Sequence, residues 1–148
     1  MKIKTLALLT ALLLFSQIIK AQNKSNDILG IWLTPGKDPA KIEIYKIGEV
    51  FFGKIVWLKN PDYNGKPKVD GHNPDQSKRN NPVLGLLLLT GFKFDANNEW
   101  KEGTIYDPES GKTYSCTLKL KDINVLEVRG YVGIPLFGRT ENWKRMEK

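Results

Sequence analysis

Between residues 103 and 131 the chain alternates apolar and polar side chains with a period of two. Tyr114, Cys116, Leu118 and Leu120 fall on one side, and Thr113, Ser115, Thr117 and Lys119 on the other, which is the period of a strand with one buried face. Asp107, Pro108, Glu109, Ser110 and Gly111 come just before it; proline presets a turn there and glycine takes the positive φ that closes it. Residues 121–124 turn the chain back, and 125–131 return as the partner strand, with Leu126 and Val128 available to the same core. Two antiparallel hairpins in succession are therefore predicted, and the rest of the chain has to complete their sheet.

The flanking pattern supplies further strands. Residues 28–34 carry Gly30 and Trp32 and stop at Pro35 and Gly36; Ile42, Ile44 and Lys46 alternate with Glu43 and Tyr45; Phe51, Ile55 and Trp57 share a face with Gly53, whose missing side chain permits a bend or bulge. Residues 59–81 hold Pro61, Asn64, Gly65, Pro67, Gly71 and Pro74 with no apolar period, so they are read as a long loop, a lid or a mobile segment. The apolar run 83–89, interrupted by Gly85, is read as a strand that Phe92 and Phe94 extend to a turn at 95–98. Trp100, Glu102, Thr104 and Tyr106 form one face of the next strand, and residues 139–145 form the last. Between them, residues 132–137 are an apolar connection expected to fold inward as a plug, the alternative being a loop that stays exposed and contacts a membrane surface or a protein partner. The pattern argues for a closed barrel or a sandwich, and the prediction is an all-β chain, a small antiparallel up-and-down β-barrel of about eight strands, since closure removes the edges an open sheet would expose. An interior of that size is filled by side chains or holds one small ligand.

Composition narrows the setting. The 148 residues make room for one domain. Lys2 and Lys4, the apolar run 6–19 and Ala21 read as a secretory signal peptide over 1–21, with the barrel domain over 22–148. Loss of Lys2, Lys4 and Lys20 with that leader lowers the formal +7 charge by three. The remaining lysines are scattered without a basic stripe, which argues against nucleic acid as a partner. No later run is long enough to span a membrane. Cys116 is the single cysteine, so no intramolecular disulfide forms, and it stands far from the leader, which excludes lipoprotein anchoring. The expected location is periplasmic or secreted.

Gly30 and Trp32 on the first strand, with Arg139 on the last, resemble the lipocalin and calycin signature in which an arginine packs across the tryptophan and closes one barrel end. The longer pattern is Ile42, Glu43, Ile44, Tyr45; Gly53, Lys54, Ile55; Asn81, Pro82, Leu84, Gly85, Leu86; Gly103, Ile105, Asp107, Pro108, Gly111, Lys112, Tyr114; Val128, Arg129, Gly130, Tyr131, Gly133; Gly138, Arg139, Thr140, Trp143. It resembles the exported bacterial family catalogued as domain of unknown function 2147. The resemblance implies a lipocalin/calycin-like barrel in the cell envelope and carries no activity, substrate or catalytic residue. Many relatives carry a cysteine pair in the middle loop, where this chain has Asp70, Gly71, His72, Asn73, Pro74 and Asp75.

Candidate chemistry is sparse. Asp62, Asn64, Asp70, His72 and Asp75 offer metal ligands in the loop, but the EF-hand register fails, with Lys66 at the fifth position and Asn73 at the twelfth. Asp107 and Glu109 fall in a tight turn rather than across a cleft, and nucleophilic chemistry needs a positioned base, whereas the single histidine, His72, falls in the long middle loop. No cofactor, metal or catalytic residue is assigned. Arg129 and Glu127 share a face and are read as an outer salt pair. The residues placed at a ligand site are Trp32, Glu43, Trp57, Trp100, Tyr106, Tyr114 and Arg139: aromatic surface with a few polar groups to orient a small hydrophobic or amphipathic molecule. Two alternatives stay open. In one, the aromatic residues fill the barrel and the protein acts through its loops on an envelope protein partner; in the other, Arg139 is a structural clamp on Trp32.

Overall fold

The computed structural model describes residues 24–147, and the leader expected over 1–21 lies outside the described residues. The strands are β1 (Gly30–Leu33), β2 (Ala40–Ile47), β3 (Val50–Leu58), β4 (Asp62–Tyr63), β5 (Lys66–Pro67), β6 (Leu87–Phe94), β7 (Glu99–Asp107), β8 (Lys112–Asp122), β9 (Val125–Tyr131) and β10 (Gly138–Met146), with one short 3₁₀ turn at Gln76–Lys78. Eight of them close into an antiparallel barrel in the order β1-β10-β9-β8-β7-β6-β3-β2, and β4 and β5 form a separate ribbon. Strand neighbours in sequence are neighbours in space, and pairing of Trp32 with Arg145 and of Ile31 with Met146 zips the first strand to the last.

Bulges decide which side chains enter the barrel, and two of them overturn the alternation expected for β3 and β7. In β3, Ile42 pairs with Ile55 but Lys41 pairs with Trp57, so Val56 is an extra residue. The insertion flips the pleat. Trp57 therefore points outward, 40% exposed, with the Lys41 ammonium 5.2 Å from its ring centre, while Leu58 turns to the core. In β7 the register shifts between Trp100 and Gly103, and Glu102 takes a left-handed φ of 65°. Trp100, Gly103 and Ile105 consequently share the inner side, and Glu102 is exposed and paired with Lys93. The shared face of Trp100, Glu102, Thr104 and Tyr106 expected from the sequence does not exist.

The end of the barrel that carries the β2–β3, β6–β7 and β8–β9 turns is packed solid. Trp32, Phe51, Leu89, Phe92, Trp100, Leu118 and Leu126 are buried there, with Trp100 edge-on to Phe51 at 6.1 Å and tilted against Phe94 at 5.2 Å. Two glycines make the packing fit. A Cβ on Gly53 would sit 2.8 Å from the Leu89 side chain, and one on Gly103 2.4 Å from the Phe92 ring, so Leu89 and Phe92 occupy the space those positions leave.

Arg145 closes this end. Its guanidinium stacks 4.2 Å from the centre of the Trp32 ring and donates to the carbonyls of Leu29 (2.8 Å), Asp27 and Ile123; the Trp32 indole donates to the Ile28 carbonyl at 2.9 Å. The arginine expected in this role was Arg139. Both residues lie on the same face of β10, six positions apart, so alternation could not separate them, and the β1–β10 register selects Arg145.

Residues 59–86 are a built structure rather than a mobile loop. The β4–β5 ribbon starts them, Val69 bridges Pro82, Asp70 N–H donates to Asn81 and Val83 N–H to Lys68. Of the apolar run 83–89, only the part from Leu87 enters a strand: Gly85 takes a φ of 91°, and residues 83–86 form a turn tied to β3 through Gly85 N–H to Ile55 and Ile55 N–H to Leu86.

Candidate binding cavity

The opposite end, ringed by the β1–β2, β7–β8 and β9–β10 connections and by residues 63–83, is open. A cavity of about 1710 Å³ runs from this mouth into the barrel. Its floor and walls are apolar, from Ile42, Ile55, Leu88, Ile105, Val128 and Trp143, each delivered inward by the pleat of its strand. The inner face of β10 adds the polar groups. Because Trp143 pairs with Leu126, Glu141 with Val128 and Arg139 with Gly130, these three side chains climb the inner wall toward the mouth. The Glu141 carboxylate accepts from the Trp143 indole at 3.2 Å and meets the Arg139 guanidinium at 3.4 Å. Tyr114, opposite Ile105 in the ladder, and Tyr131 line the same mouth.

Of the seven residues the sequence placed at a site, Tyr106, Tyr114 and Arg139 line the cavity. Trp32 and Trp100 instead belong to the packed end. Trp57 and Glu43 face outward; Glu43 pairs with Lys54 at 3.1 Å across the β2–β3 ladder. Sequence reasoning missed Glu141 and Tyr131. The alternation of Arg139, Glu141, Trp143 and Arg145 was the available signal for Glu141, since a buried Trp143 requires its neighbours two residues away to share its side.

Tyr106 does a different job from the one expected. Its hydroxyl donates to Asp70 at 2.7 Å, and Asp70, fully buried, also accepts from the Asn73 amide at 2.6 Å. This phenol–carboxylate bond latches the long connection to the barrel wall. Burial, with Asp70 beside it, pushes the Tyr106 phenol up to about 12. Gly111 completes the seat: its φ is +70°, and a Cβ there would meet the His72 carbonyl at 1.9 Å. Asp70 is thus committed to the latch, and Asp75 to capping the 3₁₀ turn at Ser77 and pairing with Lys78. Among the described residues no group of three or more His, Cys, Asp or Glu is placed to hold a metal. Cys116 is buried in the wall, where desolvation raises its thiol to about 12, as befits a packed side chain rather than a nucleophile.

The apolar connection 132–137 is not a plug. Val132 is 68%, Leu136 74% and Phe137 72% exposed. Arg129 is responsible: it stands on the outer face of β9, donates through Nε (2.8 Å) and Nη2 to the Pro135 carbonyl, and holds Thr140 Oγ1 through Nη1 at 2.6 Å. The loop is drawn outward over the rim. Glu127, expected to pair with Arg129, pairs with Lys121 instead.

Residues 30–145 match the model of the family described as "Uncharacterized protein conserved in bacteria (DUF2147)". The chain belongs to this family. Among solved structures, this DUF2147 chain is similar to protein HP1028 from the human pathogen Helicobacter pylori, described as belonging to the lipocalin family, with a TM-score of 0.72 and 23% identity over 82% of this chain and 84% of that one. That likeness concerns the fold: a DUF2147 chain builds a lipocalin-like closed barrel of eight strands. No curated protein matches it.

Proposed function

We propose that this chain is an exported barrel, periplasmic or secreted, that binds one small hydrophobic or amphipathic molecule in its open half. The observation that carries the reading is the cavity itself: apolar walls below, and Arg139, Tyr114 and Tyr131 at the mouth to orient a polar end. That combination is the usual make-up of a small-molecule site. Export rests on the basic, apolar and small-residue pattern of residues 1–21.

Native mass spectrometry of protein extracted gently from its own envelope, beside titration with the fluorescent amphiphile anilinonaphthalene sulfonate, tests the binding. Gly130→Leu extends a side chain from the cavity wall, where a Cβ would sit 3.4 Å from Ile105. It is expected to weaken probe binding at least about tenfold, with the melting temperature little changed. A barrel that retains no small molecule, and whose probe signal is the same in Gly130→Leu, removes the carrier reading. Cell fractionation that finds the full-length chain in the cytosol removes export.

A further inference from the structure

We infer that the cavity selects its amphiphile by the order of groups in the head: an N–H donor next to the apolar tail and an anion just beyond it, the arrangement of an N-acyl amino acid. The inference rests on the carrier reading and names the class of ligand which that site takes. The rim does not select by sign. Lys37, Lys66, Lys68 and Arg139 line the mouth together with Asp38, Asp107, Glu109 and Glu141, four of each charge, and Lys68 is already paired with Asp38 at 2.6 Å. Selection falls to the wall below the rim.

On that wall the charged groups are Glu141 and Arg139, because Asp107 ends β7 and is taken up by its own turn through the Glu109 N–H and the Ser110 hydroxyl. Both lie on the inner face of β10, with Glu141 next to Trp143 at the floor and Arg139 at the entrance. Their exposure follows this order, 35% for the Glu141 side chain and 87% for Arg139. A head lying above a tail that fills the apolar floor therefore meets a carboxylate first and a guanidinium second. Neither is saturated. A carboxylate accepts about four hydrogen bonds and a guanidinium donates through every nitrogen, whereas the Trp143 indole takes Glu141 Oε2 and Arg139 approaches Oε1 through Nη2 alone, at 3.4 Å. That separation is longer than a charge-assisted hydrogen bond. A half-buried carboxylate among apolar side chains favours a ligand that brings a donor and penalises one that covers it without pairing it. The closeness of the two charged groups sets the spacing: donor and anion must be neighbours in the head, as on either side of the α-carbon of an acylated amino acid. A fatty acid offers no donor, and a phosphocholine head carries its anion inside and its cation outside, the reverse order.

The test is displacement of anilinonaphthalene sulfonate from the mature protein by N-lauroylglycine, below its micelle concentration. Three competitors are compared: N-lauroylsarcosine, whose amide nitrogen carries a methyl in place of the hydrogen, the uncharged methyl ester of N-lauroylglycine, and dodecylphosphocholine. N-lauroylglycine is expected to bind at least about tenfold more tightly than each. Glu141→Leu should abolish the preference over N-lauroylsarcosine and spare that over the methyl ester, and Arg139→Met should do the reverse. Glu141→Gln, which keeps an acceptor oxygen, should retain part of the first preference, as a mere change of pocket shape would not. Circular dichroism checks that each barrel is intact. Equal affinity for N-lauroylglycine and N-lauroylsarcosine, tighter binding of dodecylphosphocholine, or full discrimination in Glu141→Leu would each overturn the inference and leave the cavity a carrier. Failure of the probe and of every amphiphile to bind removes the carrier reading, and this inference with it.

Discussion

Arg145→Met separates the two arginines that alternation alone could not distinguish. The substitution keeps an aliphatic stem and deletes a guanidinium that makes hydrogen bonds to three backbone carbonyls and stacks on Trp32 at 4.2 Å. Truncated hydrogen bonds of charged donors cost about 1.5 to 3 kcal/mol when buried. Two of these bonds are exposed to solvent, which screens them, so about 0.5 to 1 kcal/mol each is the appropriate scale. The cation–π contact adds about 0.5 to 2 kcal/mol. The sum starts at about 3 kcal/mol, and that lower bound is equivalent to a fall of roughly 10 °C in melting temperature for a domain of this size, or about 1 to 2 M in urea midpoint. Arg139→Met, at a side chain 87% exposed, should stay within about 0.5 kcal/mol. Equilibrium urea unfolding followed by tryptophan fluorescence measures both. Equal losses for the two variants, or a loss under about 1 kcal/mol for Arg145→Met, would refute the assignment of the clamp.

Three further outcomes are expected. Gly103→Ala places a Cβ 2.4 Å from the Phe92 ring and should destabilise by about 1 to 3 kcal/mol through overpacking; in a double-mutant cycle with Phe92→Leu the two costs should not add. Tyr106 has a folded pKa raised to about 12 from 10.0, so the neutral phenol is favoured in the folded state. Its contribution is complete below pH 10 and is lost as pH rises through about 12; in a Cys116→Ala background, Tyr106→Phe should flatten the alkaline fall in urea midpoint and cost about 1 kcal/mol at neutral pH. Cys116 should resist iodoacetamide at pH 8 in the native protein and react in denaturant, and rapid native labelling would contradict its burial.

The strand count and closure were legible because most segments alternate, one apolar run completes the set, and turn residues separate them. Placement of side chains failed where a bulge changed the parity. Nothing local in residues 50–58 says that Val56 is extra, and Trp57 was assigned inward on a period that stops one residue earlier. The clamp was missed for a different reason: Arg139 and Arg145 have identical parity, and only the pairing of Trp32 with Arg145 across the seam between the chain's first and last strands separates them. The apolar connection was misplaced because hydrophobicity argues for burial while Arg129, an outer-face residue, supplies the hydrogen bonds that hold it out. The latch had no sequence signal at all, since Asp70 and Tyr106 are 36 residues apart and meet only in the folded chain.

The solid end of this molecule holds its glycine-fitted aromatics and its guanidinium clamp, while the hollow end is framed by connections pinned to the wall by Tyr106, Asp70 and Arg129. The cavity floor of Ile42, Ile55, Leu88, Val128 and Trp143 belongs to the core, whereas Arg139 at the rim is exposed. Sequence drift at the exposed rim can retune what is bound without threatening the architecture, and a designer seeking a new specificity would leave the floor, the latch and the solid pole untouched.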